Sequence, residues 1–130
     1  MALPNGAGGY QVGDGNLSEV QLNTQTAPAS VAAVATLTPA QLTNGIIQYT
    51  GSTSPYLTLP TVADVEAVVS SAKVNSAFDL SVLNTGSGTA EFAAGTGWSL
   101  VGSMSIANGT AAVFRARKTG DGTWTLYRVG

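Results

Sequence analysis

Most of the side chains that carry out catalysis are missing from this sequence. It has no histidine and no cysteine, which excludes an imidazole base, a thiolate nucleophile, disulfides and the usual zinc sites. Only Asp79 and Glu91 form a candidate acid pair, since the hairpin predicted below places both on one sheet face, as acid catalysis at a sugar requires. Isolated acids on a solvated strand are more often solubilising, so we expect no enzymatic activity. The carboxylates are Asp14, Glu19, Asp64, Glu66, Asp79, Glu91 and Asp121.

The glycine-rich segments do not predict a cofactor site. None of them completes a dinucleotide-binding or phosphate-binding fingerprint. Asp14-Gly15-Asn16 resembles the start of a calcium loop but lacks the glutamate that would complete it. We therefore expect no cofactor and no bound metal.

Four of the five basic residues lie close together near the C-terminus, at Arg115, Arg117, Lys118 and Arg128. They form either a patch that contacts an acidic protein surface or the ordinary solvated side of a strand pair. Because few charges occur elsewhere, we favour contact, with Arg115, Arg117 and Arg128 as contacting residues. A net charge of −2 argues against nucleic acid as the main partner.

Charged residues make up only 9% of the chain, against roughly a quarter in typical soluble domains. This surface is typical of a protein covered by copies of itself or by a partner, although a low-charge secreted β domain is the plainer interpretation. No apolar run approaches the roughly 18 residues needed to cross a bilayer. The N-terminus has no signal-peptide pattern, so we expect synthesis in the cytoplasm and no membrane partner.

The elements that must position these residues are mainly short strands. Between residues 77 and 129, apolar residues alternate with polar ones and glycine-rich turns separate the runs, which predicts antiparallel strands with one buried face. In a first hairpin, Leu83 opposes Thr89 and Leu80 meets Phe92 in the core.

A second predicted hairpin pairs Arg117 with Thr123, so that Phe114 meets Leu126 and Ala116 meets Trp124 inside. Both hairpins then have five-residue connections. The register leaves Arg115, Arg117, Thr123, Thr125 and Tyr127 outside. The aromatic residues Trp98, Trp124, Tyr49, Tyr56 and Tyr127 could form a sugar-binding platform, but Trp124 falls on the core face.

Two short helices and further strands precede these hairpins. Thr38-Pro39-Ala40-Gln41 predicts a helix start that ends at Asn44-Gly45. A second helix begins at the cap Thr61 and runs to about Ser71. Its valines at 62, 65, 68 and 69 lie on one face. Strands are predicted at 46–50 and 56–59. Gly-Thr recurs at 88–89, 95–96, 109–110 and 122–123 with uneven spacing, which indicates turns and not a structural repeat.

Residues 1–33 are predicted to be an extended N-terminal arm, and residues 34–130 a single β-rich domain. The arm has few apolar anchors, and these are its expected partner contacts: Tyr10, Val12, Leu17, Val20 and Leu22. Whether the arm packs on its own or on a neighbouring subunit is open. The predicted fold is mainly β, an antiparallel sandwich or barrel with one or two short helices.

Several segments together resemble the capsid decoration, or cement, proteins of tailed bacteriophages, including cyanophages. They are Leu37-Thr38-Pro39-Ala40-Gln41-Leu42, Leu57-Thr58-Leu59-Pro60, Phe78-Asp79-Leu80-Ser81-Val82-Leu83-Asn84, Gly95-Thr96-Gly97-Trp98, Phe114-Arg115-Ala116-Arg117 and Trp124-Thr125-Leu126-Tyr127-Arg128. The resemblance covers roughly residues 34–129 and has no single diagnostic motif.

The resemblance implies a non-enzymatic protein on the outer capsid surface of the virion. Its expected partners are the major capsid protein and two further copies of itself in a homotrimer. The alternatives are a tail, fibre or baseplate structural protein, which the same kind of domain resembles, and a carbohydrate-binding module or adhesin.

Overall fold

The structure, a computed structural model, describes residues 22–130. The elements in this part are β1 (Ala29–Val31), β2 (Ala35–Thr36), α1 (Pro39–Leu42), β3 (Ile46–Tyr49), β4 (Tyr56–Thr58), α2 (Val62–Val68), β5 (Ala77–Asn84), β6 (Ala90–Ala93), β7 (Trp98–Val101), β8 (Ser105–Ile106), β9 (Ala111–Gly120) and β10 (Thr123–Arg128). A six-stranded sheet has the order β1-β3-β5-β9-β10-β7, and a four-stranded sheet the order β2-β4-β6-β8. The predicted mainly β, sandwich-like fold with two short helices is confirmed.

Three successive turns of chain stack on one another. Each turn places a strand in the six-stranded sheet and then a strand in the four-stranded sheet: β1–β2, β3–β4 and β5–β6. Neighbouring turns pair in parallel in both sheets, and α1 and α2, which touch each other, carry the chain between turns. We call this unit the three-turn stack. The two sheets are therefore mixed, with antiparallel pairing confined to β5–β9, β9–β10 and β6–β8.

The second and third turns repeat at a fixed distance in sequence. Ile46 lies opposite Ser81 in one sheet and Tyr56 opposite Glu91 in the other, an offset of 35 residues in both pairs. Thr-Gly-Ser occurs at the corners of these two turns, at 50–52 in the second and at 85–87 in the third. A structural repeat is thus present, carried by these residues and not by the Gly-Thr pairs.

Glycine allows the corners to stack closely. A Cβ atom on Gly51 would lie 2.2 Å from the carbonyl oxygen of Ala32, and one on Gly86 would lie 2.1 Å from that of Gly51. In the third turn the buried Asn84 fills the corner. Its Nδ2 donates to the carbonyls of Gly88 and Ile106, each at 2.8 Å, and its Oδ1 accepts from the Gly86 amide at 3.0 Å. This pairing satisfies a polar group that would otherwise be costly to bury.

The first predicted hairpin is wrong. β5 pairs with β3 and β9, whereas β6 pairs with β4 and β8 in the other sheet. The segment 85–89 is therefore a corner between sheets. Leu80 and Phe92 are nevertheless both buried, because alternation determines which face a residue occupies without specifying the partner strand.

The second hairpin forms with a register two residues away from the predicted one. Arg117 lies opposite Thr125, and Ala116 opposite Leu126. The connection is the tight Asp121-Gly122 pair, in which Gly122 has φ +73°, followed by a bulge at Thr123/Trp124. A shift of two residues preserves the faces, so the predicted core positions are retained.

The helix starts are as predicted, but one helical face is not. Thr38 and Gln41 form a capping box on α1, and the Thr61 hydroxyl accepts from the Asp64 amide to cap α2. Val62 and Val65 are buried, whereas Val68 is 54% exposed. The helix ends at Val68, three residues earlier than predicted, and Val69 packs against the core from beyond its end.

The expected boundary between arm and domain at 33/34 falls inside the three-turn stack. β1 lies in the range assigned to the arm, yet it pairs with β3 and buries Val31. Residues 29–33 therefore belong to the domain.

Candidate contact surface

The six-stranded sheet turns one face to the core and the other to solvent. The side chains that alternation and register place on the side away from the core, in its last four strands, include Asp79, Ser81, Ser99, Val101, Val113, Arg115, Arg117, Thr125 and Tyr127. We call this surface the outer face. It contains two of the three basic residues predicted to make partner contacts. Thr125 was predicted to be outside, but it is buried, with only 8% of its surface exposed.

Arg115 is neutralised by a carboxylate directly across the sheet. Its Nε donates to Asp79 Oδ1 at 2.6 Å and its Nη2 to Oδ2 at 3.2 Å, and the two residues face each other in register. This bidentate hydrogen bonding lowers the pKa of Asp79 and raises that of Arg115. Both side chains remain more than half exposed, so the pair is available to a partner.

Arg117 lies beside this pair and is held by neutral groups. Its Nε and Nη2 donate to the Tyr127 hydroxyl at 3.0 and 2.8 Å, and its Nη1 donates to Asn75 Oδ1 at 2.7 Å. Within residues 22–130 no carboxylate lies at salt-bridge distance from it. The outer face therefore has a fixed positive charge at Arg117, in a defined orientation.

Exposed valines accompany this charge. Val101 lies opposite Tyr127 in register and is 50% exposed. Val113 is 39% exposed, and its backbone exchanges hydrogen bonds with Val129 and Gly130 at the chain end. A sheet surface with apolar groups, an ion pair and an oriented cation suits protein contact.

Lys118 and Arg128 do not join the outer face, so the predicted patch of four basic residues does not form. Even-numbered positions of β9 and β10 point to the opposite side of the sheet, which is why the two groups separate. Arg128 donates to the backbone carbonyl of Ser105 at 2.6 Å and to that of Ser103 at 3.4 Å. It links the end of β10 to the segment around β8, which is a structural role.

Glu66 is a polar centre that the sequence interpretation missed. Its Oε2 accepts from Lys118 Nζ at 2.7 Å and from Trp124 Nε1 at 3.1 Å. The hydrogen bond from Lys118, then that from Trp124, lowers the pKa of Glu66. Two signals could have revealed the cluster: residue 66 follows the buried Val62 by one helical turn, and Lys118 occupies a core-facing position of its strand, where a charge needs a partner.

The prediction that Asp79 and Glu91 share one sheet face is wrong. Asp79 lies in the six-stranded sheet, paired with Arg115, whereas Glu91 lies in the four-stranded sheet and accepts from Ser105 Oγ at 3.1 Å. Among the described residues there is no group of three or more acidic, histidine or cysteine side chains suited to a metal. The pairing therefore supplies no two-carboxylate site.

The aromatic residues do not assemble into a platform in the described part of the chain. Trp98 and Trp124 are buried with ring centroids 5.9 Å apart, and Trp98 Nε1 donates to the Pro60 carbonyl at 2.7 Å. Tyr49 is also buried. Tyr56 and Tyr127 lie in different sheets, so these two rings do not form a pair for stacking on a sugar.

A groove of about 520 Å³ opens where the four-stranded sheet passes into the helices. Its lining is rich in threonine and contains a single acid, Asp64. It lacks aromatic groups and basic groups, so nothing in the lining identifies a sugar or phosphate ligand.

The remaining predicted contacts belong to the N-terminal segment. Tyr10, Val12, Leu17 and Val20 lie outside the described residues. Leu22 is the first described residue, and its side chain is 84% exposed.

No protein-family model matches this chain, and neither a curated protein nor a solved structure shows significant similarity to it. None of the helices among residues 22–130 has the length and apolar character needed to span a membrane.

Proposed function

We propose that this chain is a structural protein of a bacteriophage particle that binds the outer capsid surface and stabilises it as a decoration, or cement, protein. The observation that supports this best is the outer face, where Arg117 presents an oriented charge beside exposed valines and a neutralised ion pair. The proposal also rests on the resemblance described from the sequence.

A decoration protein works by repetition, and the outer face suits that requirement. One cation and a few apolar groups give a weak contact at a single site, but a lattice of such contacts holds strongly through avidity. The proposed partner is the major capsid protein, through an acidic surface that meets Arg117. Self-association, proposed as a homotrimer, would supply several such faces at once.

The copy number of this chain in purified virus particles tests the proposal. Quantitative mass spectrometry should give a ratio to the major shell protein of one or a simple fraction. A few copies per particle would indicate the tail, fibre or baseplate instead. Absence from the particle would overturn a virion role and return attention to the adhesin alternative.

A charge-matched pair of variants tests the contact surface. Arg117→Ala removes the oriented cation, and Lys73→Ala removes an exposed positive charge on the connection between α2 and β5, outside the strands of the sheet. Binding to particles that lack this protein should weaken for Arg117→Ala, and its salt dependence should become flatter because one screened charge contact is lost. Equal effects of the two variants would reject the outer face as the contact.

A further inference from the structure

Within residues 22–130, the three-turn stack has an open end. β1 is the edge strand of the six-stranded sheet and β2 the edge strand of the four-stranded sheet, and both belong to the first turn. Both sheets therefore stop at the same place. Repeat-like stacks need a cap at such an end, because the last turn has no neighbour to cover it.

This open end carries no charge. No Asp, Glu, Lys or Arg occurs from residue 20 to residue 63, which includes the first two turns. The connection from β1 to β2, and β2 itself, are exposed along residues 32–36, with Val34 70% exposed. Edge strands that remain uncovered are commonly protected by charges, and here that protection is missing.

No other strand of the described part of the chain pairs with the outer edges of β1 and β2. The Val31 carbonyl accepts from the Thr50 amide at 2.9 Å, and the Leu37 amide donates to the Thr58 carbonyl at 2.8 Å. Because successive backbone groups of a strand point in opposite directions, the amides and carbonyls of Ser30 and Thr36 point away from the stack. The end thus offers two short edges for strand addition.

We propose that this open end binds residues 10–22 of a second copy of the chain. The segment lies outside the described residues except for Leu22, and its sequence has the same order as a turn of the stack: the triplet Tyr10-Gln11-Val12, a glycine-containing stretch at 13–15, and a second apolar-polar stretch at 17–22. The second turn of the stack has the same order, with Ile47-Gln48-Tyr49 before its glycine corner. The segment could therefore pair with β1 and β2 together.

The connection lengths favour a second copy over the chain's own segment. Between consecutive turns the chain uses residues 37–45 or 59–76, each with a helix, but only residues 23–28 separate Leu22 from β1. Leu22 itself is 84% exposed and does not pack on its own domain. Exchange of segments among copies leaves each open end occupied, so the assembly can close as a symmetric ring.

Cysteine cross-linking tests this proposal cleanly, because the chain has no cysteine of its own. A tagged full-length Val20→Cys chain is co-expressed with an untagged Thr36→Cys chain and treated with a short bismaleimide. We expect tagged–untagged cross-linked pairs, and none when Val68→Cys on α2 replaces Thr36→Cys. The absence of a cross-link between the copies would overturn the proposal. A chain that carries both Val20→Cys and Thr36→Cys and cross-links only within itself would overturn it as well.

A pair of lysine substitutions gives an independent readout. Val34→Lys places a charge on the open end, whereas Val68→Lys places one on a similarly exposed valine elsewhere. Light scattering on full-length protein should show at least about a tenfold weaker self-association for Val34→Lys alone. Equal association of both variants would contradict the proposal. These measurements use purified protein, so their failure leaves the particle copy number, and with it the proposed function, untouched.

Discussion

Replacing Gly86 by alanine tests the close stacking of the turns directly. The added methyl group would lie 2.1 Å from the carbonyl oxygen of Gly51, about 1 Å inside van der Waals contact. The obstructing atom is backbone, so no side chain can rotate away. The third turn must therefore move off the second, and the hydrogen bond from the Ser87 amide to the same oxygen, now 3.0 Å, is lost.

The magnitude follows from these two effects. Overpacking of this kind costs about 1–3 kcal/mol, and the lost hydrogen bond adds about 1 kcal/mol. We expect Gly86→Ala to lower the free energy of unfolding by about 2–4 kcal/mol. Gly86 does not have a positive φ, so without the steric contact alanine would instead stabilise by about 0.4–1 kcal/mol through the unfolded state. The sign of the effect therefore tests the structure.

Urea unfolding followed by tryptophan fluorescence measures the change, since both tryptophans lie in the core. Gly109→Ala is the control: Gly109 has φ +73° and no atom near its added methyl group, so it reports backbone strain of about 1–2 kcal/mol without a clash. A Gly86→Ala protein as stable as wild type, or no less stable than Gly109→Ala, would refute the stacked arrangement.

Three further predictions concern side chains whose roles the structure defines. The pKa of Glu66 is lowered in the folded state, chiefly by the hydrogen bond from Lys118, so Glu66 stabilises the fold fully above its unfolded pKa and this stabilisation is lost as pH falls from about 5. In urea unfolding midpoints measured from about pH 3 to 7, Glu66→Gln should therefore lose less stability at acid pH than the wild type does. The same pH dependence in both proteins would contradict this prediction. Asn84→Ala should cost about 2–4 kcal/mol, because three backbone groups, one buried and two half-buried, lose their partner. A cost below about 1 kcal/mol by urea unfolding would show that they find other partners. Arg115→Ala should leave the thermal unfolding midpoint nearly unchanged, because its ion pair with Asp79 is exposed, and a large decrease would assign Arg115 a structural role.

Local patterns in the sequence were sufficient for the helix starts and the buried faces. Thr38 and Thr61 cap helices because their hydroxyl groups accept from nearby amides, a contact within three residues that sequence reveals directly. Alternation likewise placed Leu80, Phe92 and Trp124 in the core. Each of these predictions depends on neighbours in sequence.

Partner strands depend on distant residues, and there the sequence interpretation failed. A Gly-rich segment between two alternating runs predicts a hairpin, but the same composition suits a corner between sheets, as at 85–89. The 35-residue offset between turns was detectable only through the weak Thr-Gly-Ser repeat. The basic residues show the same limit. Because they are close in sequence they were grouped into one patch, but Arg117 lies at an odd-numbered strand position and Lys118 and Arg128 at even-numbered positions, on opposite faces of the sheet.

The distribution of charge connects the two proposals. All charged residues of the described chain lie at Asp64 or beyond, so the first turn of the stack is uncharged, while the outer face at its other side carries Arg117 and the Arg115–Asp79 pair. Uncharged edges suit close, repeated pairing between identical copies, since they bring no like charges together. An oriented charge suits selection of a different protein. A protein that must join its own copies and also hold a separate surface needs both kinds of contact, and this chain places them on different parts of one small fold.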